Sequence, residues 1–165
     1  MVTALAPAKN STIDSEECLC LIIQIDPVQI IVPRVLVAEV IHYDESNIKP
    51  ETTGKNLSTL SWRGFEVPLI KQSLINPGCT DEYSPLSKVL VFYGLLNTAK
   101  IPYFALVASR NPRLMSVLST SILEDKQVKK LNSGELQAVQ VNEESAVIPK
   151  VDYLEKYILD NYFQK

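Results

Sequence analysis

Residues 57–70 read Leu57-Ser58-Thr59-Leu60-Ser61-Trp62-Arg63-Gly64-Phe65-Glu66-Val67-Pro68-Leu69-Ile70. Apolar residues stand on both sides of Gly64, and a glycine between two such runs permits a tight turn. The stretch is therefore predicted to be a β-hairpin or a bulged strand, with Trp62 and Arg63 at its tip. Tryptophan and arginine are the side chains most enriched at binding hot spots, one for its large rigid ring and the other for its fixed charged fork. On the residues alone two readings stay open. Trp62-Arg63-Gly64 is either a partner-binding element, or Trp62 fills the core while strand alternation turns Arg63 to water.

The β pattern extends outward from this hairpin in both directions. Residues 18–25, Cys-Leu-Cys-Leu-Ile-Ile-Gln-Ile, are apolar and β-branched and too short for a typical buried helix, so they read as a largely buried strand. Asp26-Pro27 makes a turn, residues 28–32 form the partner strand, and Pro33 closes it. Residues 34–42 fit a short helix or a strand, and their valines and isoleucine tilt them toward strand. Residues 43–55 and 76–87 carry Asp, Asn, Pro and Gly and read as loops, the second with a solvated acidic tip. Residues 88–95 and 103–108 read as two central strands joined as a hairpin around Asn97-Thr98-Ala99-Lys100. Short strands are expected at 114–118, 136–141 and 146–148, while 122–132 is polar and ambiguous. In residues 151–163, apolar side chains at 151, 154, 158 and 162 with Tyr157 beside them suit an amphipathic helix packed over the strands. Many short strands separated by turn signals point to a mainly β, closed or sandwiched architecture.

At 165 residues, with 46% hydrophobic and 21% charged side chains, the chain has the composition of one globular unit. Residues 1–15 read as a flexible N-terminal arm before a domain spanning 16–165. A net charge of -3 gives no positive field for a phosphate backbone, so no nucleic acid is expected as a partner, and Lys129-Lys130 reads as solvated surface. Residues 1–10 do not resemble a secretory signal, and no run approaches the roughly 18 to 20 apolar residues of a membrane helix. The expected location is the cytoplasm, without membrane insertion. Three cysteines do not pair completely, and Cys18 and Cys20, one residue apart on a strand, point to one face. They read as a buried structural pair of free thiols rather than half of a metal site, since Cys79 is distant and His42 is the only histidine.

Catalysis finds no residues to carry it. His42 ends an apolar run and reads as a strand-end side chain, glycine-rich phosphate cradles are absent, and each acidic doublet lies in a polar stretch. No catalytic residue, metal or cofactor is expected. A small β-barrel that binds a ligand or senses redox state through Cys18, Cys20 and Cys79 remains the alternative to a protein-binding role.

From Cys18 to about Ile158 the sequence resembles the CheW family of chemotaxis coupling proteins. The apolar opening hairpin is followed by Val35-Leu36-Val37-Ala38-Glu39-Val40-Ile41, similar to a Val-x-Glu-Val/Ile segment, and then by Trp62-Arg63-Gly64-Phe65-Glu66-Val67-Pro68, similar to Leu/Trp-Arg-Gly-x-x-Val/Ile-Pro. Trp62 before Arg-Gly, with Pro112-Arg113-Leu114 after the second central strand, looks most like the type IV pilus chemosensory branch, the ChpC/PilI-like couplers. Ser58, Ser61, Lys71-Gln72 and Ala108-Ser109 depart from the family pattern. The resemblance implies two intertwined, roughly five-stranded β-barrel subdomains with a C-terminal helix. It implies a non-enzymatic adaptor between the cytoplasmic tip of a methyl-accepting chemoreceptor and the regulatory domain of a CheA-type histidine kinase, in twitching motility for the pilus branch. It also implies partner-binding roles for Arg63, for Trp62 beside it, for Gly64 as the turn that presents Arg63, and for Val37 as an apolar neighbour.

Overall fold

The computed structural model describes residues 16–52, 54 and 56–163. The arm expected at 1–15 lies outside the described residues. In chain order the strands are β1 (Glu17–Ile25), β2 (Val28–Pro33), β3 (Val37–His42), β4 (Ile48–Lys49), β5 (Ser58–Trp62), β6 (Phe65–Ile70), β7 (Lys88–Tyr93), β8 (Tyr103–Ala108), β9 (Arg113–Leu118), β10 (Ile122–Glu124), β11 (Glu135–Val141) and β12 (Glu144–Pro149). Helix α1 (Val151–Tyr162) follows. One sheet has the order β10-β11-β12-β2-β1-β9 and the other β3-β7-β8-β6-β5-β4, which makes five strands in each apart from the very short β4 and β10. No helix among the described residues is long and apolar enough to cross a membrane.

The near-continuous apolar runs that predicted β1, β7 and β8 are explained by burial on both faces. With a side-chain period of two, β1 sends Leu21, Ile23 and Ile25 into a core shared by the two sheets, and Cys20 and Ile22 into a core belonging to the first sheet. Likewise β7 gives Leu90 and Phe92 to the shared core and Val89 and Val91 to the second sheet's own core. In β8 the same division separates Phe104, Leu106 and Ala108 from Ala105 and Val107. Helix α1 covers the shared core through Leu154 and Ile158, with Val151, Tyr157 and Tyr162 packed at its margin, as the 151/154/158/162 spacing predicts.

Several local expectations are refined. Residues 34–36 form a 3-10 turn, and only Val37–His42 is strand. The segment 43–55 contains β4, which pairs with β5, and the ambiguous 122–132 begins with β10. The acidic tip of 76–87 is not simply solvated: the Asp81 carboxylate accepts from Ser73 N at 2.9 Å and Ser73 Oγ at 2.5 Å, tying that loop to the end of the second sheet. Cys18 and Cys20 do share a face, with sulfurs 3.8 Å apart, but Cys18 is exposed and only Cys20 is buried, because β1 begins at the rim of its sheet. His42 ends β3, exposed, with Nδ1 2.7 Å from Lys88 Nζ on the paired strand.

Candidate partner-binding site

Trp62 and Phe65 face each other across a two-residue turn, Arg63-Gly64, in which both φ angles are positive, 47° and 82°. Those angles are the signature of a type I′ hairpin, whose twist matches the flanking strands. Gly64 takes its angle without steric cost, which supports the turn-forming role read from the sequence. Arg63 does not; a β-carbon in the left-handed region costs about 1 kcal/mol, so something else must favour arginine there.

That compensation comes from β3. Glu39 accepts from Trp62 Nε1 at 2.6 Å and, as a forked pair, from Arg63 Nε at 3.0 Å and Nη2 at 3.3 Å. The Arg63 guanidinium also lies 5.4 Å from the Trp62 ring centre, within reach of a cation–π attraction. The Glu39 carboxyl is held below the usual carboxylate range, first by the Trp62 indole N–H and then by Arg63. Even so, 68% of the Arg63 side chain stays exposed, so one fixed positive charge is oriented and still accessible.

Aromatic rings extend the surface away from this charge. Tyr103 meets Trp62 edge-on at 4.9 Å and Phe65 at 5.0 Å, and Tyr93 lies 5.8 Å beyond it. Phe65 and Tyr93 are each close to half exposed, far more than a core ring, and a recess of about 350 Å3 opens along residues 61–66 and Lys49. The structure thus joins the two readings of Trp62: its ring packs on the margin of the second sheet's core, while its N–H fixes the carboxylate that orients Arg63.

Val37 is not on this surface. It is 3% exposed and packs in the shared core, because the β3–β7 register slips between Val37 and Glu39 and turns Val37 inward while Glu39 reaches the hairpin tip. Glu39 and Phe65 stand inside the Val-x-Glu-Val and Arg-Gly-x-x-Val-Pro segments without a role legible from the sequence, and Tyr93 and Tyr103 fall on strands with no motif to mark them. The signal for the rings was present in the register of the predicted hairpins, which sets aromatics at adjacent strand ends.

The two buried thiols are poorly disposed for chemistry. Burial, reinforced by the neighbouring Cys18 sulfur, pushes Cys20 up to about 11, and burial with nearby carboxylates pushes Cys79 up to about 11. Thiols so protonated near neutral pH are weak nucleophiles. Among the described residues no group of three or more His, Cys, Asp or Glu side chains is placed to hold a metal ion.

Two β-sheets closed on a shared core, with a C-terminal helix over it, define a CheW-like fold. The chain is similar to the crystal structure of the scaffolding protein TtCheW from Thermoanaerobacter tengcongensis, with a TM-score of 0.64 over 82% of this chain and 86% of that one. At 14% identity the likeness is one of fold. No protein family model and no curated protein sequence matches the chain.

Proposed function

We propose that this chain is a non-enzymatic coupling adaptor of chemotaxis-type signalling. It joins the cytoplasmic tip of a methyl-accepting chemoreceptor to the regulatory domain of a CheA-type histidine kinase, in the cytoplasm, within a type IV pilus chemosensory system that controls twitching motility. The observation that carries this reading is the oriented, exposed Arg63 guanidinium beside a half-exposed aromatic row, on a fold shared with a scaffolding protein. A positioned fixed charge next to apolar rings suits a helix laid across the strand ends, with rings supplying buried area and Arg63 setting register. Trp62 and Gly64 serve the same contact by holding and presenting Arg63. Val37 supports it from beneath, through the β3 backbone that carries Glu39. The pilus assignment rests on the Trp-Arg-Gly and Pro-Arg-Leu elements of the sequence.

Co-sedimentation of the purified protein with a receptor cytoplasmic domain and the kinase tests the reading. Arg63→Glu is expected to weaken ternary assembly by about tenfold or more, the scale of one lost charge-assisted contact, while the domain stays folded with a melt lowered only by the loss of the exposed Glu39 pair. Normal assembly by the variant would remove Arg63 from the interface. Running the assay with pilus-system and flagellar-system receptors in parallel separates the two branches.

A further inference from the structure

A second recess lies on the first sheet, where the β1–β2 turn faces the segment after β10. It encloses about 340 Å3 between Gln24, Gln29, Asp125 and Ser145, with aliphatic walls that include Val28, Val128 and Val147. That volume is at the small end of the range of ligand pockets.

Its polar groups share one character. Asp125 is 7% exposed, and among the described residues its carboxyl group receives only the Gln127 N–H at 3.1 Å and the Ser145 hydroxyl at 3.3 Å. Among the described residues no lysine, arginine or histidine reaches it as an ion pair. Gln24 spends its amide N–H groups on Asp26 Oδ1 at 2.9 Å and the Val28 carbonyl at 3.2 Å. Gln29 spends its own on Glu144 Oε2 at 3.2 Å and the Ser145 carbonyl at 2.9 Å. Both NH2 groups stand between two acceptors, which fixes each amide's orientation; the two glutamines sit at the mouth of this recess, and their far side lines the neighbouring one with Arg110 and Arg113. The Ser145 hydroxyl proton points to Asp125, so its oxygen is an acceptor as well. The recess therefore offers one buried carboxyl group with a hydroxyl oxygen beside it and two glutamine amides at its mouth, walled by hydrocarbon.

We propose that this recess binds a cation carried on a short aliphatic stem, a guanidinium or a primary ammonium. The charged head pairs with Asp125 and donates a further N–H to the Ser145 oxygen, with the Gln24 and Gln29 amides at the recess mouth, and the stem lies along the valines. The Asp125 carboxyl accepts only neutral donors, one on each oxygen, and a cationic donor would add the charge-assisted partner that the described residues do not supply. The site is separate from the Trp62–Arg63–Glu39 cluster, which belongs to the other sheet.

Titration of the full chain with n-butylguanidinium, followed by amide NMR, tests this. Saturable shifts at Val128, Ala138 and Ser145 are expected, with n-butanol and butyrate producing none. Asp125→Asn should weaken binding by about tenfold or more, and Gln24→Leu, which leaves the Asp125 turn intact, by several-fold. N-acetyl-Gly-Arg-Gly-amide in a parallel arm separates the two sources of such a cation: tighter binding of the peptide assigns the site to a partner's side chain, and tighter binding of butylguanidinium assigns it to a free small molecule. Absence of saturable shifts, an equal response to butyrate, or unchanged affinity in both variants would overturn the proposal.

Discussion

Glu39 and Glu155 each tie down a hairpin end of the second sheet, one at the surface and the other with 1% of its area exposed. Glu39 receives side chains, the Trp62 indole and the Arg63 fork, at the β5–β6 turn. Glu155, on α1, receives backbone, the N–H groups of Leu95 at 2.8 Å and Leu96 at 2.9 Å, just past the end of β7. A surface carboxylate bonded to side chains sets where a charge points; a buried one bonded to backbone sets where the chain runs. On the proposed function the first serves recognition, while the second serves stability, although both are glutamates tied to one sheet.

The contrast is open to attack, most severely at Gly94. A β-carbon there would stand 1.7 Å from the Ile101 carbonyl oxygen and 3.3 Å from Glu155 Oε1, and the first of these is backbone that has no room to retreat. Gly94→Ala is expected to cost about 3 kcal/mol or more in a urea titration, since the loop and the Glu155 clamp must both shift. Glu155→Ala comes next, at roughly 2 to 3 kcal/mol for two charge-assisted bonds to backbone, with assembly on receptor and kinase unchanged once the protein is folded. If it abolished assembly with the melt intact, the division between the two carboxylates would fail. Glu39→Gln should barely move the melt but should blue- or red-shift Trp62 emission and weaken assembly, because Arg63 loses its anchor. The same carboxylate gives a small pH dependence. Its folded value is depressed, so its contribution is full above the unfolded carboxylate range and lost as pH falls through the folded value. Screening of so exposed a pair keeps that loss small, and a melt series from pH 7 to pH 3 at low and high salt checks it.

Much of this was legible in the residues. The strands with both faces buried announced themselves as unbroken apolar runs, the α1 stripe fixed the face laid on the shared core, and Gly64 marked the hairpin. What escaped depends on pairs distant in sequence. Nothing local to Glu39 says that Trp62 and Arg63 will fold onto it, and nothing around Val37 signals the one-residue slip that turns it inward. Glu155 falls within the amphipathic stretch, where a carboxylate reads as solvent-facing until the loop that covers it is known. Local pattern specifies which face of a strand is apolar; it does not specify which strand arrives next to it.

The sheet order has one more consequence. The first sheet is assembled from β1 and β2 at the start of the chain and β9 to β12 at its end, while β3 to β8 make the whole of the second sheet. On a ribosome, β1 and β2 therefore emerge as a hairpin with apolar side chains on both faces and must wait for β9 and β12 until the entire intervening sheet has been synthesised. The nascent chain therefore holds this apolar hairpin uncovered while β3 to β8 are being made, the interval in which it is most open to misassociation.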